Sequence, residues 1–138
     1  MDKGTRYVPT ATPETKHFWD GTRQGRLVVQ QCRQCEHTYF PPRPFCCKCG
    51  SRDVAPRECS GRAHLYSYVI NHRAAPGFEA PYSIAVVELE EGPRMMTNIV
   101  NVPQTPEALV LDMPLRVTFK ELTSEITLPL FEPEGIAS

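Results

Sequence analysis

Cys32-Arg33-Gln34-Cys35 and Cys46-Cys47-Lys48-Cys49, with ten residues between them, form a C-x2-C-x10-C-x2-C array. Each C-x-x-C turn folds back so that both thiolates face one point. Two such turns supply the four tetrahedral sulfurs that Zn²⁺ takes at about 2.3 Å. Gly50 follows Cys49 where the backbone must curl its amides toward sulfur. Cys46 is the better ligand of the adjacent pair, because Cys47 with Cys49 makes only C-x-C; Cys47 is then spare. Cys59, ten residues further on, reads as a small buried hydrophobe. With Cys32, Cys35, Cys46 and Cys49 all bound, no coordination position stays open, so the chemistry is one structural zinc rather than an activated water. The same ligand set holds iron in rubredoxin-like sites, and a redox role is the competing reading.

Little else in the chain has reactive spacing. His17, His37, His64 and His72 are scattered outside any H-E-x-x-H pattern, and His37 reads as either a neighbour of the metal ligands or a solvated loop residue. Ser60 and Ser83 lack a G-x-S-x-G elbow, and no phosphate-cradling glycine loop is present. Glu88, Glu90, Glu91, Glu121 and Glu125 fall at strand ends beside turn residues, where solvated charge is usual. Nothing assembles a nucleophile, a base and an oxyanion hole, so no catalytic residues are assigned.

The elements that must position the array are short. Thr12-Pro13-Glu14-Thr15 offers an N-cap, a first-turn proline and acidic charge, and Gly21 follows Asp20, which predicts a helix over Pro13 to Asp20. Phe18 and Trp19 are neighbours on it, leaving at least one aromatic to pack outside the helix. Arg26 to Gln31 reads as a strand entering the cysteines, and Cys32 to Cys59 as a compact loop-rich unit with Pro41-Pro42-Arg43-Pro44 in its middle. Strands are then expected at His64 to His72, Tyr82 to Glu90, Met95 to Val100, Leu115 to Leu122 and Glu125 to Leu130. Alternation sets Leu65, Ser67 and Val69 against Tyr66, Tyr68 and Ile70. Five short strands suggest a closed barrel, which removes exposed edges; an OB-like barrel is the first choice and an SH3-like barrel the second.

At 138 residues and 41% hydrophobic content, the chain is one ordinary domain or two very small ones. Fourteen prolines, against a usual ~5%, punctuate brief elements and argue against long helices. The net charge of -1 hides an asymmetry: residues 1–60 carry ten Lys/Arg and six Asp/Glu, and residues 61–138 carry five and ten. Tyr66, Tyr68, Phe78 and Tyr82 lie where OB-folds stack single-stranded bases, so a free-standing zinc-ribbon/OB module for single-stranded nucleic acid is the alternative function. The acidic barrel half disfavours it, since a stacking face also needs a basic groove. No apolar run approaches a membrane span, and the N-terminus leads into no signal core. The cysteines then read as reduced and the location as cytoplasmic.

The arrangement resembles the acyl-CoA-associated zinc-ribbon/OB-fold family. The matching pieces are Pro13-Glu14-Thr15, Phe18-Trp19-Asp20-Gly21, Gly25 through Cys32, the array, Ser60-Gly61-Arg62 leading into Tyr66-Ser67-Tyr68, Glu91-Gly92-Pro93-Arg94 and Thr127-Leu128-Pro129-Leu130-Phe131. The resemblance covers nearly the whole chain; Cys47 and Cys59 are its departures. It implies an N-terminal helical segment (1–25), a rubredoxin-like zinc ribbon (26–59) and an OB barrel (60–138). It also implies a non-catalytic subunit that partners a thiolase-like large chain acting on coenzyme A thioesters, the zinc-finger subunit of an aromatic-degradation thiolase being one member. Arg33, Arg43 and Lys48 are the candidates for the CoA phosphates. Phe18, Trp19, Tyr66 and Arg73 are the candidate partner contacts, since aromatic and Arg side chains dominate interface energetics.

Overall fold

The computed structural model describes residues 10–13, 15–73 and 79–134. Helix α1 is Lys16–Arg23, one turn later than the sequence suggested. Thr12 and Thr15 close a turn ahead of it, with the Thr15 N–H on the Thr12 carbonyl at 3.0 Å and the Thr12 N–H on Thr15 Oγ1 at 2.9 Å. The capping signal thus forms a lead-in turn rather than the first helical turn; Glu14 lies outside the described residues. The exit is also displaced. Arg26 N–H bonds the Gly21 carbonyl and Gly25 N–H bonds that of Thr22, a Schellman closure with Gly25 at φ +75° in the left-handed position. Gly21 is instead a close-packing glycine, since a Cβ there would stand 2.8 Å from Val28 Cγ2.

Strands β1 (Val28–Cys32), β2 (Thr38–Tyr39) and β3 (Val54–Glu58) form an antiparallel sheet in the order β2-β1-β3. The expected loop-rich unit therefore ends in a strand, paired from Val28↔Glu58 to Cys32↔Val54. Pro56 is tolerated there because β3 is an edge strand.

The second sheet contains β4 (Arg62–Asn71), β5 (Tyr82–Leu89), β6 (Arg94–Thr97), β7 (Pro114–Glu121) and β8 (Thr127–Pro133), in the order β6-β5-β4-β7-β8. It curls until its two edges meet at a parallel bridge between Ile99 and Phe131, giving the half-barrel of an OB fold. All five expected strands are present, but β6 stops short, at Thr97 rather than Val100. A bulge in β4 between Leu65 and Ser67 also breaks the expected alternation. Before it Ala63 and Leu65 point inward; after it Tyr68 and Ile70 pack on the core while Ser67 and Val69 face solvent. One extra residue flips the faces.

Phe18 of α1, Leu27 and Val29 at the start of the ribbon, and Leu65, Val87, Leu115 and Phe131 of the barrel belong to a single buried cluster. The three expected segments therefore share one core. Deleting the Phe131 ring from it would cost about 3–5 kcal/mol. A small separate cluster holds Cys32, Tyr39 and Cys46.

Candidate metal centre

The last residue of β1 is Cys32, and the turn after it returns Cys35 to the same side. Gln34 N–H and Cys35 N–H both donate to Cys32 Sγ, at 3.3 and 3.4 Å. The second knuckle repeats this, with Lys48 N–H and Cys49 N–H on Cys46 Sγ at 3.3 and 3.5 Å. Gly50 at φ +79° lets the chain leave Cys49, and its N–H bonds the Cys46 carbonyl at 2.9 Å. The two knuckles face each other: Cys32 Sγ is 3.6 Å from Cys49 Sγ, and Cys35 Sγ is 3.6 Å from Cys46 Sγ.

All four sulfurs lie within 4.8 Å of one another. A tetrahedron with sulfur about 2.3 Å from its centre has edges of about 3.8 Å, so the set fits one Zn²⁺. The surroundings move the thiols in opposite directions. Cys35 N–H, and against burial Gln34 N–H, pull the Cys32 thiol below its ordinary value. Burial works upward on Cys46, but the Cys49 and Lys48 amides outweigh it and bring the thiol down to about 6. Ser51 favours the Cys49 thiolate, yet burial, and after it sharing with Cys32, Cys35 and Cys46, drives that thiol up to about 12. When bound, the metal supplies cross-linking of the two knuckles rather than a reactive position.

Cys47 is exposed and outside the set, as its spacing implied. Cys59 is buried in the main core, and desolvation followed by the Glu91 carboxylate raises its thiol to about 12. The ring of His37 lies stacked on that of Tyr39, at 5.6 Å and 18°.

Phe18 is 4% exposed and packs edge-on to Trp19 at 4.8 Å and against Phe40 at 5.1 Å, so it serves the core while also lining the apolar groove beside Trp19. Trp19 is half-buried and lines, with Phe40, Ile84, Met95, Met96 and Leu128, a groove of about 410 Å³. Tyr66 stays 46% exposed beneath the Arg94 guanidinium, 3.9 Å from its ring centroid. Arg73 is exposed at the end of β4. Of the aromatic residues singled out beside Tyr66, Tyr68 turns to the core, the Tyr82 hydroxyl accepts from Asn71 Nδ2 at 2.8 Å, and Phe78 lies outside the described residues. Phe45, missed in the sequence, is 41% exposed beside the second knuckle. Its place after Pro44 in the proline run was the available signal.

Two family models divide the chain between them, the rubredoxin-like zinc ribbon domain of ChsH2 over residues 19–55 and the C-terminal OB-fold domain of ChsH2 over residues 56–120. The chain also superposes on the solved structure of the Ltp2-ChsH2(DUF35) aldolase with a TM-score of 0.81 and 37% identity, over 91% of its own length and 98% of that chain. It belongs to the ChsH2 (DUF35) family. ChsH2-type relatives include the probable enoyl-CoA hydratase alpha subunit of Thermomonospora curvata, 37% identical over 95% of this chain and 41% of its own length. The chain thus spans about two fifths of that relative. The benzoylsuccinyl-CoA thiolase subunit BbsA of Thauera aromatica is 27% identical over 56% of this chain and 54% of its own. The ChsH2 assignment makes the four-cysteine cluster a zinc ribbon, in agreement with the sulfur geometry. Among the described residues no helix is long and apolar enough to cross a membrane.

Proposed function

We propose that this chain is a non-catalytic zinc-ribbon/OB-fold subunit of an enzyme that forms or cleaves carbon–carbon bonds on CoA thioesters. It docks on a larger thiolase-fold chain, stabilises it and shapes the entrance of its acyl-CoA site. The observation that carries this reading is the match along 98% of a chain of the Ltp2-ChsH2(DUF35) aldolase. The kinship to a thiolase subunit supports the thiolase-fold partner. Cys32, Cys35, Cys46 and Cys49 hold one Zn²⁺ that ties the two knuckles of the ribbon together.

Within this reading Trp19, half-buried beside Phe18 in the apolar groove, is the more accessible aromatic contact on α1. Contact of Arg33, Arg43 and Lys48 with the CoA phosphates has weaker support, since Arg33 Nη1 already faces Asp53 at 3.5 Å. The test is native mass spectrometry of the proteins that co-purify with the tagged chain. A partner of roughly 40 kDa, about the size of two or three ordinary domains, in a fixed ratio with one zinc per copy of this chain is expected. A lone zinc-loaded monomer under the same conditions would overturn the reading.

A further inference from the structure

The segment from Pro41 to Lys48, between β2 and the second knuckle, is built to be held still. Pro41, Pro42 and Pro44 fix φ at three of four consecutive positions. Pro42 is buried, and so is Cys46 at the far end. Between them the backbone is tied to a buried polar pair: Gln30 Oε1 accepts from the Arg43 N–H at 2.7 Å and from the Tyr39 hydroxyl at 2.5 Å. That hydroxyl also reaches the Phe45 carbonyl at 3.4 Å.

What this braced loop displays is a phenylalanine. The Phe45 ring is 41% exposed and belongs to neither buried cluster. Around it in sequence stand Arg43, Lys48 and Arg52, all exposed, and none has an ion-pair partner among the described residues. An aromatic anchor flanked by free cations on a preordered loop has the composition of an interface hot spot, because little conformational entropy is lost on docking.

We infer that the Pro41–Lys48 loop is a docking prong for the large subunit, Phe45 entering an apolar pocket rimmed by carboxylates that Arg43 and Lys48 meet. This rests on the accessory-subunit reading and names its contact. A phosphate ligand fits the loop less well. Anion-binding loops offer free backbone N–H groups, and here those of Arg43 and Lys48 are already spent on Gln30 Oε1 and Cys46 Sγ.

The test uses the zinc-loaded full chain and the purified co-purifying partner, with affinity and association rate measured across a salt series. Phe45→Ala should weaken binding on the order of tenfold or more, while Phe45→Leu retains most of it. Arg43→Glu with Lys48→Glu should slow association and flatten its salt dependence. Zinc content reports that each variant is folded. Hydrogen exchange on the wild-type complex, which needs no variant, should show new protection across residues 41–48. The prong is overturned if Phe45→Ala and the charge-reversed variant both bind within twofold of wild type, or if that protection is missing. Loss of free CoA affinity in the charge-reversed variant with unchanged partner binding would also overturn it, in favour of a phosphate site. A partner that binds regardless of Phe45 removes only the prong; failure to recover any partner removes the accessory-subunit reading as well.

Discussion

Val117 donates its backbone N–H to the Gly61 carbonyl at 2.8 Å, and its Cγ1 stands 2.8 Å from where a Cβ on Gly61 would be. Gly61 sits at φ +86°, where the chain leaves the ribbon for β4. The barrel and the ribbon thus meet at a point with no room for a side chain. Gly61→Ala should destabilise by about 2–4 kcal/mol, combining the left-handed backbone cost with overpacking against Val117. Thermal or urea denaturation checks this; a loss below about 0.5 kcal/mol, the range of an ordinary surface change, would contradict it.

Zinc should account for the order of the ribbon. Cys32→Ser or Cys49→Ser is expected to unfold the knuckles, since structural zinc contributes on the order of 10 kcal/mol of folding free energy in small modules. Hydrogen exchange across residues 32–49 should lose protection in either variant and after chelation. Native-like protection in metal-free protein would refute the assignment.

The six cysteines should separate into three classes by reactivity. Cys47, exposed and outside the cluster, should be alkylated first in the zinc-loaded protein. Cys59, buried with its thiol raised to about 12, should react only on unfolding. The four clustered thiols should react together when a chelator is added. Peptide mapping of timed labelling distinguishes this order from uniform reaction.

Acid should weaken the closing hairpin. Asn101 Nδ2 donates to Glu132 Oε1 at 2.6 Å, and Arg116 Nε donates to Oε2 at 2.7 Å. These bonds, Asn101 first, hold the Glu132 carboxyl below its ordinary 4.5 despite some desolvation. A depressed carboxyl stabilises the fold fully above about 4.5 and loses that contribution as pH falls through the folded value. Denaturation midpoints should therefore fall below pH 4.5 in the wild type and less steeply in Glu132→Gln. Parallel acid limbs would show that Glu132 contributes nothing.

The metal centre was legible because its information is local. Two C-x-x-C turns carry their own N–H···S bonds, and Cys46 rather than Cys47 follows from turn geometry alone. The barrel strands were legible from β-branched runs between turn residues, and the family resemblance from the order of several weak pieces. What escaped depends on partners distant in sequence. The bulge at Tyr66 is set by pairing with β5 and has no composition cue. Strand β3 was hidden by Pro56, which reads as a breaker until its edge position is known. Helix α1 was misplaced because Gly21 resembles a terminator, whereas it makes room for Val28 and Gly25 ends the helix. How deeply Phe18 is buried was not legible either, since Phe40, which packs against it, is 22 residues away in the chain.

The measurement that tests the central claim most directly is turnover of a panel of acyl-CoA thioesters, followed by mass spectrometry, with the large partner alone, this chain alone, and the two recombined with zinc. The account predicts carbon–carbon bond cleavage or formation that needs both chains, with no turnover by this chain alone. Full activity of the large partner without this chain, or turnover by this chain in isolation, would contradict it.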